Sequence, residues 1–144
     1  MVELTQEDMF YFSQFEKISK VMPLDYLNTE AALFFIVDAN ELGRAIGRNA
    51  INMQNLSKFF KKRVFVVANF NDPELFIRSF FNGIDIISVE IRDVMGEKAI
   101  MLTVDENQRG FAIGKNGERI KGAKALLQKK FNATLHLRTR KTAF

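Results

Sequence analysis

The tetrapeptide Gly114-Lys115-Asn116-Gly117 gathers what a phosphate-binding turn requires. Two glycines permit unusual backbone angles and close approach of an anion, and Lys115 supplies a cation. The apolar-periodic run from Glu118 predicts a helix whose N-terminus would present unpaired N–H groups to the same spot. A Gly-x-x-Gly turn by itself is common between helices. This one follows Ile113, is trailed by Arg119, Lys121 and Lys124, and is echoed elsewhere in the chain.

The echo is found by sliding the sequence against itself by 67 residues, which sets Ala32–Ala50 over Ala99–Gly117 with nine of 19 positions identical. Among the identities are Asp38/Asp105, Gly43/Gly110, Ile46/Ile113, Gly47/Gly114 and Asn49/Asn116. The apolar spacing persists beyond, with Met53, Leu56 and Phe60 over Ile120, Ala123 and Leu127, one face of a helix in each case. The earlier loop is Gly47-Arg48-Asn49-Ala50: Arg48 keeps a cation, whereas Ala50 stands where the second glycine should be. Alanine can still start a helix, so a weakened site rather than an absent one is expected there.

Positioning these loops requires a pair of similar domains, residues 1–70 and 71–144, in each of which the elements run α-β-β-α-α-β. In the second, Asp72 and Pro73 are an N-cap and a first-turn proline, and the helix they open is predicted to run through Phe81. The alternation at Ile87, Val89 and Ile91 predicts a strand, Gly96 a turn and Ala99–Val104 a second strand. A short helix over Asn107–Ile113 precedes the loop, a longer one covers Glu118–Phe131, and Ala133, Leu135 and Leu137 alternate along a closing strand. In the first, Thr5 and Asp8 form a capping-box-like pair opening a helix to about Lys20. Tyr26–Asn28 and Ala31–Val37 are the strands, Glu41–Ile46 and Ala50–Phe60 the helices, and Val64–Val67 the closing strand. The fold class is α+β, with helices on one face of small sheets. The 15 phenylalanines, among them Phe34, Phe35, Phe59, Phe60, Phe65, Phe80 and Phe81, are expected to fill the two cores.

Charge divides the chain unevenly. Residues 1–105 hold 11 Lys and Arg against 15 Asp and Glu, a net of −4, while residues 106–144 hold 10 against 2, a net of +8. A segment so basic is suited to a polyanion. The remaining composition narrows the chemistry. With no cysteine, thiolate catalysis, thiolate metal sites and disulfides are excluded, and with one histidine, His136, neither a Ser-His-Asp triad nor a multi-histidine zinc site is expected. Gly110 to Asn116 falls short of a nucleotide-binding P-loop, which needs one more residue between its glycines and a hydroxyl after the lysine. Asp38 and Asp105 are each followed by the same short helix and are expected to be N-caps rather than metal ligands. His136 belongs to the polar face of a strand. Asn49 and Asn116 either stabilise their turns or donate to a phosphate. Neither a membrane span nor a signal peptide is evident, so a cytoplasmic protein without metal or cofactor, not an enzyme, and without membrane or small-molecule substrate is expected.

The stretch Ala112-Ile113-Gly114-Lys115-Asn116-Gly117-Glu118-Arg119-Ile120 resembles the signature of KH domains, which clamp about four nucleotides against such a loop. The element order resembles the type II, prokaryotic form, with a three-stranded sheet. Two such modules in tandem, with Asn71-Asp72-Pro73-Glu74-Leu75-Phe76-Ile77 opening the second, are similar to the archaeal NusA-like transcription factors. The resemblance implies binding of single-stranded RNA during transcription elongation or termination, with RNA polymerase as a further partner. It places the RNA contacts at Ile113, Gly114, Lys115, Asn116, Gly117, Arg119 and Lys121, and at Ile46, Gly47, Arg48, Asn49 and Ala50. Alternatives are an RNA-binding role in ribosome assembly or processing, and a protein-interaction adaptor.

Overall fold

A computed structural model describes residues 3–141. The chain divides into two compact units, Met1–Phe70 and Asn71–Phe144.

The first unit opens with helix α1, Gln6–Ser19. Its capping box is complete: Thr5 Oγ1 accepts the Asp8 N–H at 3.0 Å and Asp8 Oδ2 accepts the Thr5 N–H at 3.0 Å. Strands β1, Asp25–Asn28, and β2, Ala32–Asp38, pair antiparallel. A single 3-10 turn over Ala39–Glu41 leads to helix α2, Leu42–Ile46, and helix α3, Ile51–Phe60, returns the chain to strand β3, Arg63–Asn69, parallel to β2. Phe15, Ala45 and Leu56, one from each helix, pack with Leu33, Phe35 and Val37 of β2. The Phe15 and Phe35 rings lie 4.4 Å apart, and on the other face of β2 Phe34 stacks on Phe65 at 5.0 Å.

The second unit repeats the order with helix α4, Pro73–Phe80, strands β4, Ile86–Val94, and β5, Glu97–Asp105, helices α5, Arg109–Ile113, and α6, Glu118–Phe131, and strand β6, Ala133–Arg140. The sheet order is β4-β5-β6, antiparallel then parallel, as β1-β2-β3 is in the first. Alternate residues Ile100, Leu102 and Val104 are fully buried, together with Phe76, Ile77 and Leu127. Asp72 caps α4 by accepting the Leu75 N–H at 3.0 Å, as the Asp-Pro pair predicts. No helix among the described residues is long and apolar enough to cross a membrane.

Three expectations are corrected. The β4–β5 hairpin is longer than the alternation suggested. Pairing continues through Arg92, Asp93, Glu97 and Lys98, where apolar patterning has lapsed, to the turn at Met95 and Gly96, both at positive φ as two-residue hairpins prefer. Phe59 is 45% exposed at the rim, its ring edge-on to Phe60 at 5.0 Å, whereas Phe34, Phe35 and Phe81 are fully buried. Ala50 does not start α3: at φ 59° and ψ 29° it is left-handed, and the helix begins at Ile51.

Candidate nucleic-acid interface

Helix α5 stops where Gly114 leaves it. The Gly114 N–H still closes on the Gly110 carbonyl at 2.9 Å, but φ 79° with ψ 171° is a backbone region nearly reserved for glycine. Space imposes the same choice, since a Cβ here would stand 2.9 Å from Arg119 Cβ and 3.0 Å from the Arg119 backbone nitrogen. Lys115–Gly117 forms one tight turn, with the Gly117 N–H on the Gly114 carbonyl at 3.1 Å. Two successive left-handed residues, Asn116 at φ 57° and Gly117 at φ 74°, then swing the chain into α6.

The side chains of Lys115 and Asn116 are exposed on this turn. Lys121 folds back one helical turn and places its ammonium 3.4 Å from the Asn116 carbonyl oxygen, bringing a second cation to the loop. The helix N-terminus itself offers less than the sequence suggested. The Glu118 N–H is taken by the Lys115 carbonyl, and the buried Glu118 carboxylate already stands at the positive end of the helix dipole. Attraction for an anion therefore rests on Lys115 and Lys121.

Arg119, expected as a contact, is set against the backbone of its own unit. Its guanidinium donates to the carbonyls of Phe80 at 3.2 Å, Asn82 at 3.0 Å and Phe111 at 3.3 Å, and lies 5.6 Å from the Phe81 ring centroid. It braces the end of α4 and α5 against the start of α6. The loop is positioned by this residue.

Against this geometry, residues 73–141 match the KH domain family model. The chain is 27% identical over 128 residues to the "Probable transcription termination protein NusA" of Methanocaldococcus jannaschii, covering 89% of this chain and 70% of that protein. With the protein of the same name from Halococcus morrhuae it shares 27% identity over 131 residues, 91% of this chain and 94% of the relative. The chain belongs to the archaeal NusA-like KH proteins.

The crystal structure of APE1850 is similar as well, at 32% identity and a TM-score of 0.78, covering 95% of this chain and all of that one. The KH match spans the second unit alone. The first unit nevertheless repeats the loop of its KH neighbour almost contact for contact. Gly47 takes φ 83°, Asn49 φ 54° and Ala50 φ 59°, and the Gly47 N–H closes on Gly43 at 3.0 Å. Asn52 Nδ2 donates to the Arg44 carbonyl at 3.1 Å as Arg119 does to Phe111, and Gln54 Nε2 donates to the Asn49 carbonyl at 3.4 Å as Lys121 does to Asn116. What changes is charge, since Gln54 is neutral where Lys121 is cationic, and conformational fit, since Ala50 holds an angle that Gly117 adopts freely.

Ile46 and Ile113 are half-buried beside their loops, and Arg48 is exposed like Lys115. Asp38 and Asp105 are N-caps, as expected, accepting the N–H of Asn40 and of Asn107 at 2.9 Å each. His136 lies exposed on β6, its Nε2 3.5 Å from Thr134 Oγ1. Among the described residues no group of three or more His, Asp or Glu is placed to hold a metal ion. Phe111 escaped the sequence reading; its neighbours in the motif are apolar, and nothing in the pattern separates an exposed ring from a buried one.

Proposed function

We propose that this chain binds single-stranded RNA through the Gly114–Gly117 loop and, as a NusA-like factor, acts in transcription elongation or termination with RNA polymerase as a partner. The observation that carries the reading is the loop itself: a turn locked by Gly114 against Arg119, with Lys115 exposed on it and the Lys121 ammonium beside it. Residues 71–144 form the KH domain that grips the backbone, with Ile113, Gly114, Lys115, Asn116, Gly117 and Lys121 as its binding set and Arg119 as its brace. Residues 1–70 form a second, weaker KH domain through Ile46, Gly47, Arg48, Asn49 and Ala50. The repeated loop geometry supports the pairing, and the neutral Gln54 supports the difference in strength. The activity is binding, with no catalysis and no cofactor.

The test is titration of a short single-stranded RNA and a duplex DNA over a salt series. Wild type should prefer the RNA, with affinity falling as salt rises. The Lys115→Asp/Asn116→Asp variant should abolish binding while remaining folded, and Arg48→Asp/Asn49→Asp should weaken it less. Undiminished binding by the first variant would overturn the reading.

A further inference from the structure

We propose that Phe111 is a base-stacking platform for the RNA held by the adjacent loop, an inference that rests on the RNA-binding reading of that loop. Its side chain is 69% exposed, the most of any phenylalanine among the described residues. Leaving a phenyl ring in water forgoes the burial that most of this chain's other rings obtain.

The ring is not needed to build the turn. The position 67 residues earlier, at the same place in α2, is Arg44, whose guanidinium reaches the Glu41 carboxylate at 2.9 Å and the Lys20 carbonyl at 3.3 Å. A polar side chain therefore satisfies the same element in the first unit. In α5 the buried residue is Ala112, and Phe111 stands on the opposite, solvent side.

The backbone that carries the ring is fixed. Arg119 Nη1 donates to the Phe111 carbonyl at 3.3 Å, and Gly114, three residues on, closes α5 on Gly110 at 2.9 Å. The same arginine thus holds both the aromatic residue and the turn with its two lysines. A ring carried on a fixed backbone beside a phosphate-binding turn suits the way single-stranded nucleic acid is held: cations take the backbone and a π-face takes a base, with little demand on sequence.

The test compares a short mixed-sequence RNA with an abasic oligoribonucleotide of the same length. Phe111→Ala and Phe111→Leu should each lower affinity for the RNA about 5- to 150-fold, the range expected of one base–aromatic stack, with no change in salt dependence and no change for the abasic strand. Phe111→Tyr should bind as wild type. Because the chain has no tryptophan, Phe111→Trp supplies a single indole that can be excited apart from Tyr11 and Tyr26, and RNA should quench it where the abasic strand should not. If Phe111→Ala binds RNA as wild type does while Lys115→Asp fails, the stacking role is overturned and the loop reading stands. If Phe111→Leu retains full affinity, an apolar contact replaces stacking and the proposal is overturned. Equal loss on both strands overturns it too, and RNA binding unaffected by either Phe111 or Lys115 substitution removes the loop reading along with it.

Discussion

Arg119 closes over Gly114 so tightly that a Cβ on the glycine would stand 2.9 Å from the arginine's own Cβ. The contact joins the residue that caps the short helix to the first turn of the long one, and so sets the width of the loop between them. Gly114→Ala should therefore lower stability by about 2–3 kcal/mol, since the backbone angle and the clash both oppose the side chain. Urea unfolding measures that loss, and RNA titration of the folded fraction should show weakened binding as well. An unchanged midpoint would mean that the loop relaxes freely.

The paired residues Ala50 and Gly117 predict opposite responses to exchange. Left-handed alanine carries a penalty of about 1–2 kcal/mol, offset in part because glycine is freer when unfolded. Ala50→Gly should stabilise by about 0.5–1 kcal/mol and Gly117→Ala should destabilise by about 1 kcal/mol. The Lys121 Cε that a Cβ at Gly117 would meet at 3.1 Å is the end of a flexible chain and can move aside. Thermal melts of the two variants check both signs.

Removing the Arg119 brace should destabilise the protein by about 1–3 kcal/mol, because carbonyls of Phe80, Asn82 and Phe111 lose a charged donor. Arg119→Lys should rescue little, as one ammonium cannot reproduce the planar fork that spans them. RNA affinity should fall with loop order while the salt dependence keeps its wild-type slope. A slope reduced by about 1 would instead make Arg119 a phosphate contact.

Tyr26 donates its hydroxyl to Asp8 Oδ1 at 2.7 Å, while Oδ2 of the same carboxylate completes the α1 capping box. Burial, followed by that hydrogen bond and the charges of Asp8 and Glu7, raises the phenol above its ordinary value. A proton held more tightly in the folded state gives stability that is fully present below the ordinary phenol value of about 10 and is lost as pH rises beyond it. Wild type should thus lose stability in alkaline solution by this route. Tyr26→Phe should be about 1 kcal/mol less stable at neutral pH and lack that part of the alkaline decline. Denaturant titrations from pH 7 to 11 distinguish the two.

Much of the fold is legible in the sequence because its signals are local. Asp72-Pro73, Thr5 with Asp8, and the apolar spacing of α3 and α6 mark elements within a few residues of where they occur. Where the signal is tertiary the reading falters. The hairpin β4–β5 extends past its apolar residues because backbone pairing does not depend on them, and Phe59 occupies a core-like position in the pattern yet lies at the rim.

By itself the sequence determined the duplicated loop, its glycines and its local cations, since residue type and spacing decide which backbone angles are open and where charge can gather. Only the tertiary structure decided how those parts are used. It set the Arg119 guanidinium against backbone carbonyls, brought Lys121 back onto Asn116, placed the Glu118 carboxylate at the helix start and left Phe111 in water. The physical reason is that direction and burial depend on neighbours distant in the chain, such as Phe80 and Asn82 for Arg119, which no local pattern encodes.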